Sequence, residues 1–185
     1  MKIAIFTNSI IGVKVAHFLY RNKVQIQFIV TKDETLKKHF RKTPVIHYKD
    51  LEPEKLKNID LGVVAVFSIL PKEIFNAPKF GMLNLHYSLL PSYGGPIPLF
   101  WQIANKEKLT GASVHFISEK IDKGKLIAQK STPLIYNMVK MEKILQPIGE
   151  KLILNAIYSV KKYGRNVPEL QVKWAPSYYG YFSKK

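Results

Sequence analysis

The chain has 185 residues, 46% of them hydrophobic, no cysteine and a formal net charge of +16. This length most simply makes one domain with a real core, and the lack of cysteine excludes disulfides, thiolate zinc sites and a cysteine nucleophile. No apolar stretch approaches the roughly 20 residues of a membrane span. The apolar N-terminus ends at Asn8 and Ser9, too early for the core of a signal peptide. We therefore expect a cytoplasmic protein without a membrane partner.

The positive charge comes almost entirely from lysine. Arginine occurs only at Arg21, Arg41 and Arg165, and the lysines are spread along the chain. Proteins that read phosphates and bases usually use arginine, often in clusters. The pattern therefore favours a solubilising surface and makes a nucleic-acid partner unlikely. Steering of an anionic ligand by the surface charge is the alternative.

The first elements alternate between strand and helix. Residues 2–7 predict a buried strand, Asn8 or Ser9 can cap the following helix, and residues 24–30 predict a second strand. This β-α-β opening indicates a parallel sheet. The first turn, residues 7–12, contains a single glycine, whereas a dinucleotide-binding loop needs several. We therefore expect no nucleotide cofactor there.

A central strand follows two short helices. The helices are predicted at 33–40 and 52–57, with a weak strand at 44–48 between them. Residues 61–67 form a continuous apolar run, which is typical of a parallel strand buried on both faces. Ligands of open α/β sheets bind beyond the carboxyl ends of the strands. The loop at 67–71 is therefore a candidate pocket wall.

The second half combines a turn-rich loop, two strands and a long helix. We predict a strand at 82–86, a loop at 88–98, a helix at 98–106, a strand at 110–117, a turn at Asp122, a strand at 126–131, and a helix at 139–162 with its C-cap at Gly164. The turn between the last two strands indicates a hairpin. The long helix has one apolar face at helical spacing.

Aromatic residues are concentrated in the C-terminal tail. They are Trp174, Tyr178, Tyr179, Tyr181 and Phe182. We expect this tail, residues 166–185, to pack on the domain formed by residues 1–165 or on the mouth of its pocket. The predicted class is α/β, with a mostly parallel twisted sheet and helices on both faces.

One strand carries the strongest chemical signal. Asn84 and His86 alternate with apolar residues, so both side chains lie on one face of the strand. A strand histidine is more often structural than catalytic, but this one comes just before a loop rich in proline and glycine. Together with Asp122 it supplies the groups needed for proton transfer at a carbonyl. We expect His115 to support these groups, and no ligand spacing favours a metal.

Several motifs resemble the formyltetrahydrofolate-dependent formyltransferase family, which includes glycinamide ribonucleotide, methionyl-tRNA and amino-sugar formyltransferases. They are Asn84-x-His86, Ser88-Leu89-Leu90-Pro91, Tyr93-x-Gly95, Thr110-Gly111, His115 and Asp122-x-Gly124. The resemblance covers about residues 1–135. It implies a Rossmann-like formyltransferase fold with 10-formyltetrahydrofolate as co-substrate and no metal.

The resemblance also implies roles for individual residues. Asn84 would donate a hydrogen bond to the oxyanion formed from the formyl group. His86 would stabilise this oxyanion and help to move the proton of the amine, with Asp122 orienting the imidazole or a water. The implied folate-binding residues are Phe67, Leu70, Ser88, Leu89, Pro91, Ile117 and Ile121.

Departures from the family bear on the acceptor. Gly94 stands where many relatives have arginine, which puts a usual anion or loop contact in doubt. The first turn lacks the glycine-rich phosphate loop of the purine enzyme, and neither the C-terminal barrel of the tRNA enzyme nor the N-terminal domain of the hydrolytic relative is expected. Elimination leaves a small primary amine, with a nucleotide-linked amino sugar as the expected acceptor. The alternatives are a catalytically degenerate anion- or RNA-binding module and a glycinamide ribonucleotide formyltransferase, and a homodimer is also open.

Overall fold

The computed structural model describes residues 1–181. Within them, seven strands form one sheet in the order β3-β2-β1-β4-β5-β6-β7. The strands are β1 (Lys2–Phe6), β2 (Gln25–Thr31), β3 (Val45–His47), β4 (Leu61–Ala65), β5 (Met82–His86), β6 (Leu109–Phe116) and β7 (Leu126–Pro133). Strands β1 to β5 pair in parallel, whereas β6 and β7 add antiparallel to one edge. The hairpin predicted at this edge is present.

In the described part of the chain, five α-helices connect and cover the strands. They are α1 (Ile10–Arg21), α2 (Pro53–Lys57), α3 (Lys72–Phe75), α4 (Pro98–Ala104) and α5 (Met138–Tyr163). Of the two candidate caps of α1, Ser9 takes the role, since its side chain accepts from the Gly12 N–H. The helix predicted near residue 33 is a 3₁₀ helix, Glu34–His39, capped by the Asp33 side chain. Gly164 ends α5 at a φ of 59°, as its lack of Cβ allows.

The strands bury both faces because their side chains alternate. Ile3 and Ile5 belong to a core with α1 and α5, which supply Leu19 and Ile153 among others. Phe6 points to the opposite face, where the smaller helices α2 and α3 complete a second core. Burying each such side chain contributes about 1.5–3 kcal/mol. Helices thus cover both faces, and the predicted α/β class is confirmed.

Strand β5 positions the candidate catalytic residues. Leu83 and Leu85 face the core formed with α5, so Asn84 and His86 project from the other face. On the antiparallel neighbour β6, His115 lies opposite Asn84 and Ser113 lies opposite His86. The connection from β6 to β7 places Asp122 near the carboxyl end of β5, beside the loop that follows β4.

The chain after α5 runs along the sheet edge towards the loop that follows β5. The Leu170 N–H donates to the Leu126 carbonyl, and the Trp174 indole N–H donates to Gln129 Oε1 at 2.6 Å. Further along, Tyr178 forms an isolated bridge with Gly94. Phe182, part of the predicted aromatic tail, lies outside the described residues. The division at residue 165 stays a prediction. No helix within residues 1–181 is long and apolar enough to cross a membrane.

Candidate active site

A cavity of about 900 Å³ opens at the carboxyl ends of the parallel strands. Asn84 and His86 from β5 and Asp122 from the β6–β7 connection lie together in its wall. The structure therefore brings the three predicted catalytic residues to one place. Most of the remaining wall is apolar, as is usual for small-molecule sites.

His86 is buried and held by the loop that follows it. Its Nε2 lies 2.9 Å from the Tyr93 carbonyl oxygen. A carbonyl can only accept, so Nε2 carries the proton and the neutral ring has its lone pair on Nδ1. That nitrogen lies 3.9 Å from Asp122 Oδ2. Burial lowers the pKa of His86, against the raising effects of the Asp122 charge and the Tyr93 carbonyl. The imidazole is therefore neutral at neutral pH.

Asp122 is a carboxylate in this site. Burial raises the pKa of Asp122, but its interactions with His115, with His86 and with the Gly95 N–H outweigh burial and hold the pKa at about 2. The Gly95 N–H donates to Oδ2 at 2.8 Å. The other oxygen, Oδ1, lies 3.6 Å from His115 Nε2. A negative charge therefore faces the free nitrogen of His86.

Asn84 is oriented by His115. The buried His115 places Nδ1 2.8 Å from the Phe116 carbonyl, which makes Nδ1 the donor and leaves Nε2 as an acceptor in the neutral ring. The Asn84 amide nitrogen donates to this Nε2 at 3.1 Å and to Asp122 Oδ1 at 3.4 Å. His115 thus has the supporting position expected for it. The longer bond of Asn84 is the weaker of the two.

No group of three or more His, Asp or Glu side chains that could hold a metal ion occurs among residues 1–181.

The backbone at the site adopts disfavoured conformations. Val66, Tyr93 and Asp122 have φ values of 59°, 58° and 52°, in the left-handed region that non-glycine residues rarely adopt. Such conformations cost on the order of 1–3 kcal/mol each and persist where the surroundings hold them. All three lie in or beside the cavity. The loops around the site are therefore held by contacts rather than by local preference.

The predicted folate-binding residues divide into two sets. Phe67, Leu70, Ile117 and Ile121 line the cavity, and their binding role stays a prediction. The binding role of Ser88, Leu89 and Pro91 stays a prediction as well, but these three residues do not line the cavity. The reason is that the loop turns inward after Tyr87: Ser88 is fully buried and its hydroxyl donates to the Ser92 carbonyl at 2.7 Å.

Sequence reasoning missed a further part of the wall. The missed residues come from the start of α1, the end of β4, the loop before α4 and the first turns of α5; they include Ile11, Val66, Ile97, Met138, Glu142 and Gln146. A signal was present in α5, where Glu142 and Gln146 are polar residues one turn apart. Their spacing matches one helix face. The tail contributes Tyr178 and Tyr181.

Gly94, where many relatives have arginine, makes backbone hydrogen bonds to the C-terminal tail. Its N–H donates to the Ser177 carbonyl at 3.0 Å, and its own carbonyl accepts from the Tyr179 N–H at 2.9 Å. A Cβ at Gly94 would meet its neighbours at ordinary contact distances, the nearest at 3.4 Å. The next glycine is more constrained, because Gly95 has a φ of 113° and a Cβ there would collide with the Tyr179 carbonyl.

Comparison with known proteins identifies the family. The sequence model of the formyl transferase family matches residues 10–157, and the chain belongs to this family. The family predicted from the motifs is thereby confirmed. A methionyl-tRNA formyltransferase from Azobacteroides pseudotrichonymphae genomovar. CFP2 is 40% identical over 117 residues, which are 56% of this chain and 36% of that protein. The chain thus spans about a third of the length of that relative.

Solved structures share the fold. WlaRD, a sugar 3N-formyl transferase crystallised in the presence of dTDP and 5-N-formyl-THF, matches with a TM-score of 0.73 and 21% identity, over 98% of this chain and 70% of that one. Glycinamide ribonucleotide transformylase 1 from Symbiobacterium toebii matches with a TM-score of 0.75 and 16% identity, over 92% and 94%. At these identities the likeness establishes the Rossmann-like formyltransferase fold alone.

Proposed function

We propose that the chain transfers a formyl group from 10-formyltetrahydrofolate to a primary amine. The observation that carries this proposal is the meeting of Asn84, His86 and Asp122 in one cavity wall, in a chain of the formyl transferase family. A neutral imidazole, a carboxylate and an amide N–H are the groups that acyl transfer to an amine needs.

The cavity is suited to a folate. Its volume of about 900 Å³ lies within the roughly 300–1,000 Å³ of small-molecule sites. Phe67, Leu70, Ile117 and Ile121 provide apolar surfaces of the kind that a flat heterocycle packs against. When bound, the folate supplies the formyl group as the electrophile.

His86 is the proposed proton carrier. Its unprotonated Nδ1 accepts the proton that the amine nitrogen loses as it bonds to the formyl carbon. The nearby Asp122 carboxylate stabilises the resulting imidazolium. The bond between the formyl carbon and the folate nitrogen breaks, and His86 returns the proton to that leaving nitrogen. Atoms and charge balance without a further reactant.

Asn84 is the proposed donor to the formyl oxygen. Its amide keeps the 3.1 Å bond to His115 and redirects the longer one, 3.4 Å to Asp122, because a carbonyl gaining negative charge is the stronger acceptor at that moment. His115 thereby fixes the direction of the amide.

We propose a nucleotide-linked amino sugar as the acceptor. The support comes from the mouth of the cavity, where Tyr178 and Tyr181 are 53% and 76% exposed. Exposed aromatic rings offer a stacking surface to a nucleobase, while the sugar amine reaches inward to His86.

Methionyl-tRNA is the second candidate acceptor. It is supported by the name of the 40%-identical relative. The net charge of +16, interpreted above as a solubilising surface, would also favour association with a phosphate backbone. The glycinamide ribonucleotide alternative is less supported, since the first turn has one glycine where a phosphate loop would need several.

A panel of acceptors tests the proposal. The protein is incubated with 10-formyltetrahydrofolate and, in turn, nucleoside-diphosphate amino sugars, methionyl-tRNA, glycinamide ribonucleotide and no acceptor, with product masses and folate absorbance as readouts. The expected result is formylation of an amino sugar that is lost in His86→Ala. Formylation of methionyl-tRNA alone would replace the first acceptor by the second. RNA binding without turnover on any acceptor would establish the binding module instead.

A further inference from the structure

The last residues that the structure describes form hydrogen bonds with the loop that follows β5. We call residues 174–181 the tail segment and residues 92–95 the catalytic loop. The bonds between them are Ser92 Oγ to the Ala175 carbonyl, Tyr93 N to Ser177 Oγ, Gly94 N to the Ser177 carbonyl and Tyr179 N to the Gly94 carbonyl. The tail segment therefore satisfies the backbone of this loop much as a neighbouring strand would.

Aromatic stacking adds to these bonds. The Tyr179 ring lies between Tyr93, at 5.0 Å and 10° between planes, and Trp101, at 5.2 Å and 26°. The Asn105 amide donates to the hydroxyls of both tyrosines, at 2.9 Å for Tyr179 and 3.0 Å for Tyr93. The Trp101 indole N–H donates to the Gly180 carbonyl at 3.1 Å. Tyr179 is thus clamped between the catalytic loop and α4.

The catalytic loop in turn holds both members of the proton-transfer pair. Its Tyr93 carbonyl accepts from His86 Nε2 at 2.9 Å, and its Gly95 N–H donates to Asp122 Oδ2 at 2.8 Å. Tyr93 does so with a φ of 58°, a conformation that a tyrosine keeps only when its surroundings impose it. The tail segment contacts Tyr93 through Ser177 Oγ and the Tyr179 ring, while Glu107 accepts from the Tyr93 hydroxyl at 2.6 Å.

We propose that the tail segment, through Tyr179, positions His86 and Asp122 for proton transfer. Tyr179 touches neither of them and is a positioning residue. By fixing the Tyr93 carbonyl it fixes which nitrogen of His86 is protonated, and by fixing Gly95 it fixes the direction of the Asp122 carboxylate. The kinetic consequences rest on the proposed function, whereas the state of the His86 ring does not.

Two substitutions at one position separate the stack from its hydroxyl. Tyr179→Ala removes the ring, while Tyr179→Phe keeps the ring and removes only the bond from Asn105. The matched control is Tyr158→Ala, which truncates a tyrosine of α5 that is 50% exposed and outside the cavity wall. Ser177→Ala is a milder second variant, since it removes one acceptor from the Tyr93 N–H and leaves all rings in place.

The first readout is NMR of the histidine ring nitrogens, with His86 assigned by the loss of its signals in His86→Ala. The wild type and the control should show His86 protonated at Nε2 alone. Tyr179→Ala should show both tautomers in exchange, and Tyr179→Phe should resemble the wild type. A His86 ring that stays wholly Nε2-protonated in folded Tyr179→Ala would overturn the proposal. If that variant does not fold, the same criterion applies to Ser177→Ala.

The second readout is the split between kcat and KM with the acceptor found in the panel. We expect Tyr179→Ala to lower kcat by about tenfold to a hundredfold, the range of a misplaced catalytic group, while the KM for the folate changes by less than about threefold. A kcat equal to that of the control would overturn the proposal. If the wild type shows no turnover at all, the proposed function fails and the NMR result alone decides this inference.

Discussion

The two sides of the cavity are built in different ways. On the sheet side, Asn84 and His86 project from a regular strand and face a regular antiparallel partner. On the loop side, Tyr93 and Asp122 adopt disfavoured backbone conformations and depend on distant segments for their position. In the proposed mechanism the sheet therefore supplies Asn84 and His86 from a regular strand, whereas Asp122 depends on the contacts that hold its loop. Many proteins place functional groups on a rigid scaffold of strands and helices and use loops for recognition.

Replacing His86 should have the largest effect. His86→Ala removes the proposed proton carrier and should lower kcat by about 10²- to 10⁴-fold, the usual worth of general acid–base catalysis. The measurement is kcat with the acceptor identified in the panel. His17→Ala is the matched control, since His17 is exposed on α1 and contacts the His39 carbonyl. Equal losses in both variants would contradict a special role for the sheet side.

Replacing Asn84 should come next. Asn84→Ala removes the donor proposed for the formyl oxygen and should lower kcat by about 10²- to 10³-fold, as for other oxyanion donors. Single-turnover kinetics separate this loss from weaker folate binding. A variant that changes only the KM would show that Asn84 binds and does not assist the reaction.

The Asp122 carboxylate should make a pH-dependent contribution to the unfolding free energy. Its folded pKa of about 2 lies below the ordinary value of 3.8, so its contribution is present above pH 3.8 and is lost as the pH falls towards 2. The difference corresponds to about 2 kcal/mol of unfolding free energy. Denaturant titrations across this range should show that loss in the wild type, and Asp122→Asn should lack it. If the wild type and Asp122→Asn showed the same pH dependence, the Asp122 carboxylate would not make the contacts with His86 and Gly95 that lower its pKa.

Phe67 and Leu89 represent the two sets of predicted folate-binding residues, those that line the cavity and those that do not. Phe67→Ala removes cavity wall and should raise the KM for the folate about tenfold, the worth of one aromatic contact. Leu89→Ala should leave that KM unchanged and lower the unfolding free energy by about 2–5 kcal/mol, as for other buried leucines. A raised KM in Leu89→Ala with normal stability would instead support the predicted role of Leu89 in folate binding.

Local sequence patterns were sufficient to predict the strands and side-chain directions on the sheet side of the cavity. The continuous apolar run of β4 predicted a central strand, and the alternation around Leu85 predicted that Asn84 and His86 share a face. Asp122 is different, because no periodicity links it to a strand 38 residues away. The sequence offered it as a carboxylate beside a turn, and the family resemblance supplied its role. Its contact with Gly95 requires the hairpin and the loop to be placed in three dimensions.

The loop side could not be predicted in the same way. The motif Ser88-Leu89-Leu90-Pro91 was identified, but the direction in which the loop turns depends on tertiary contacts such as that between Ser113 Oγ and the Ser88 carbonyl, at 2.6 Å. The aromatic composition of the tail predicted packing on the domain or on the mouth of its pocket. It did not predict the pairing of Gly94 with the tail, because this pairing joins segments more than 80 residues apart.

In the proposed mechanism a neutral His86 accepts the proton of the amine. The most direct test is the pH dependence of kcat/KM between about pH 5 and about pH 9, where histidine is the side chain that ordinarily titrates. Because burial lowers the pKa of His86 below its ordinary 6.5, we expect a decline on the acid side with a midpoint below pH 6.5, and we expect this decline to be missing from the residual activity of His86→Ala. A decline whose midpoint lies above 6.5, or one that persists in His86→Ala, would contradict it.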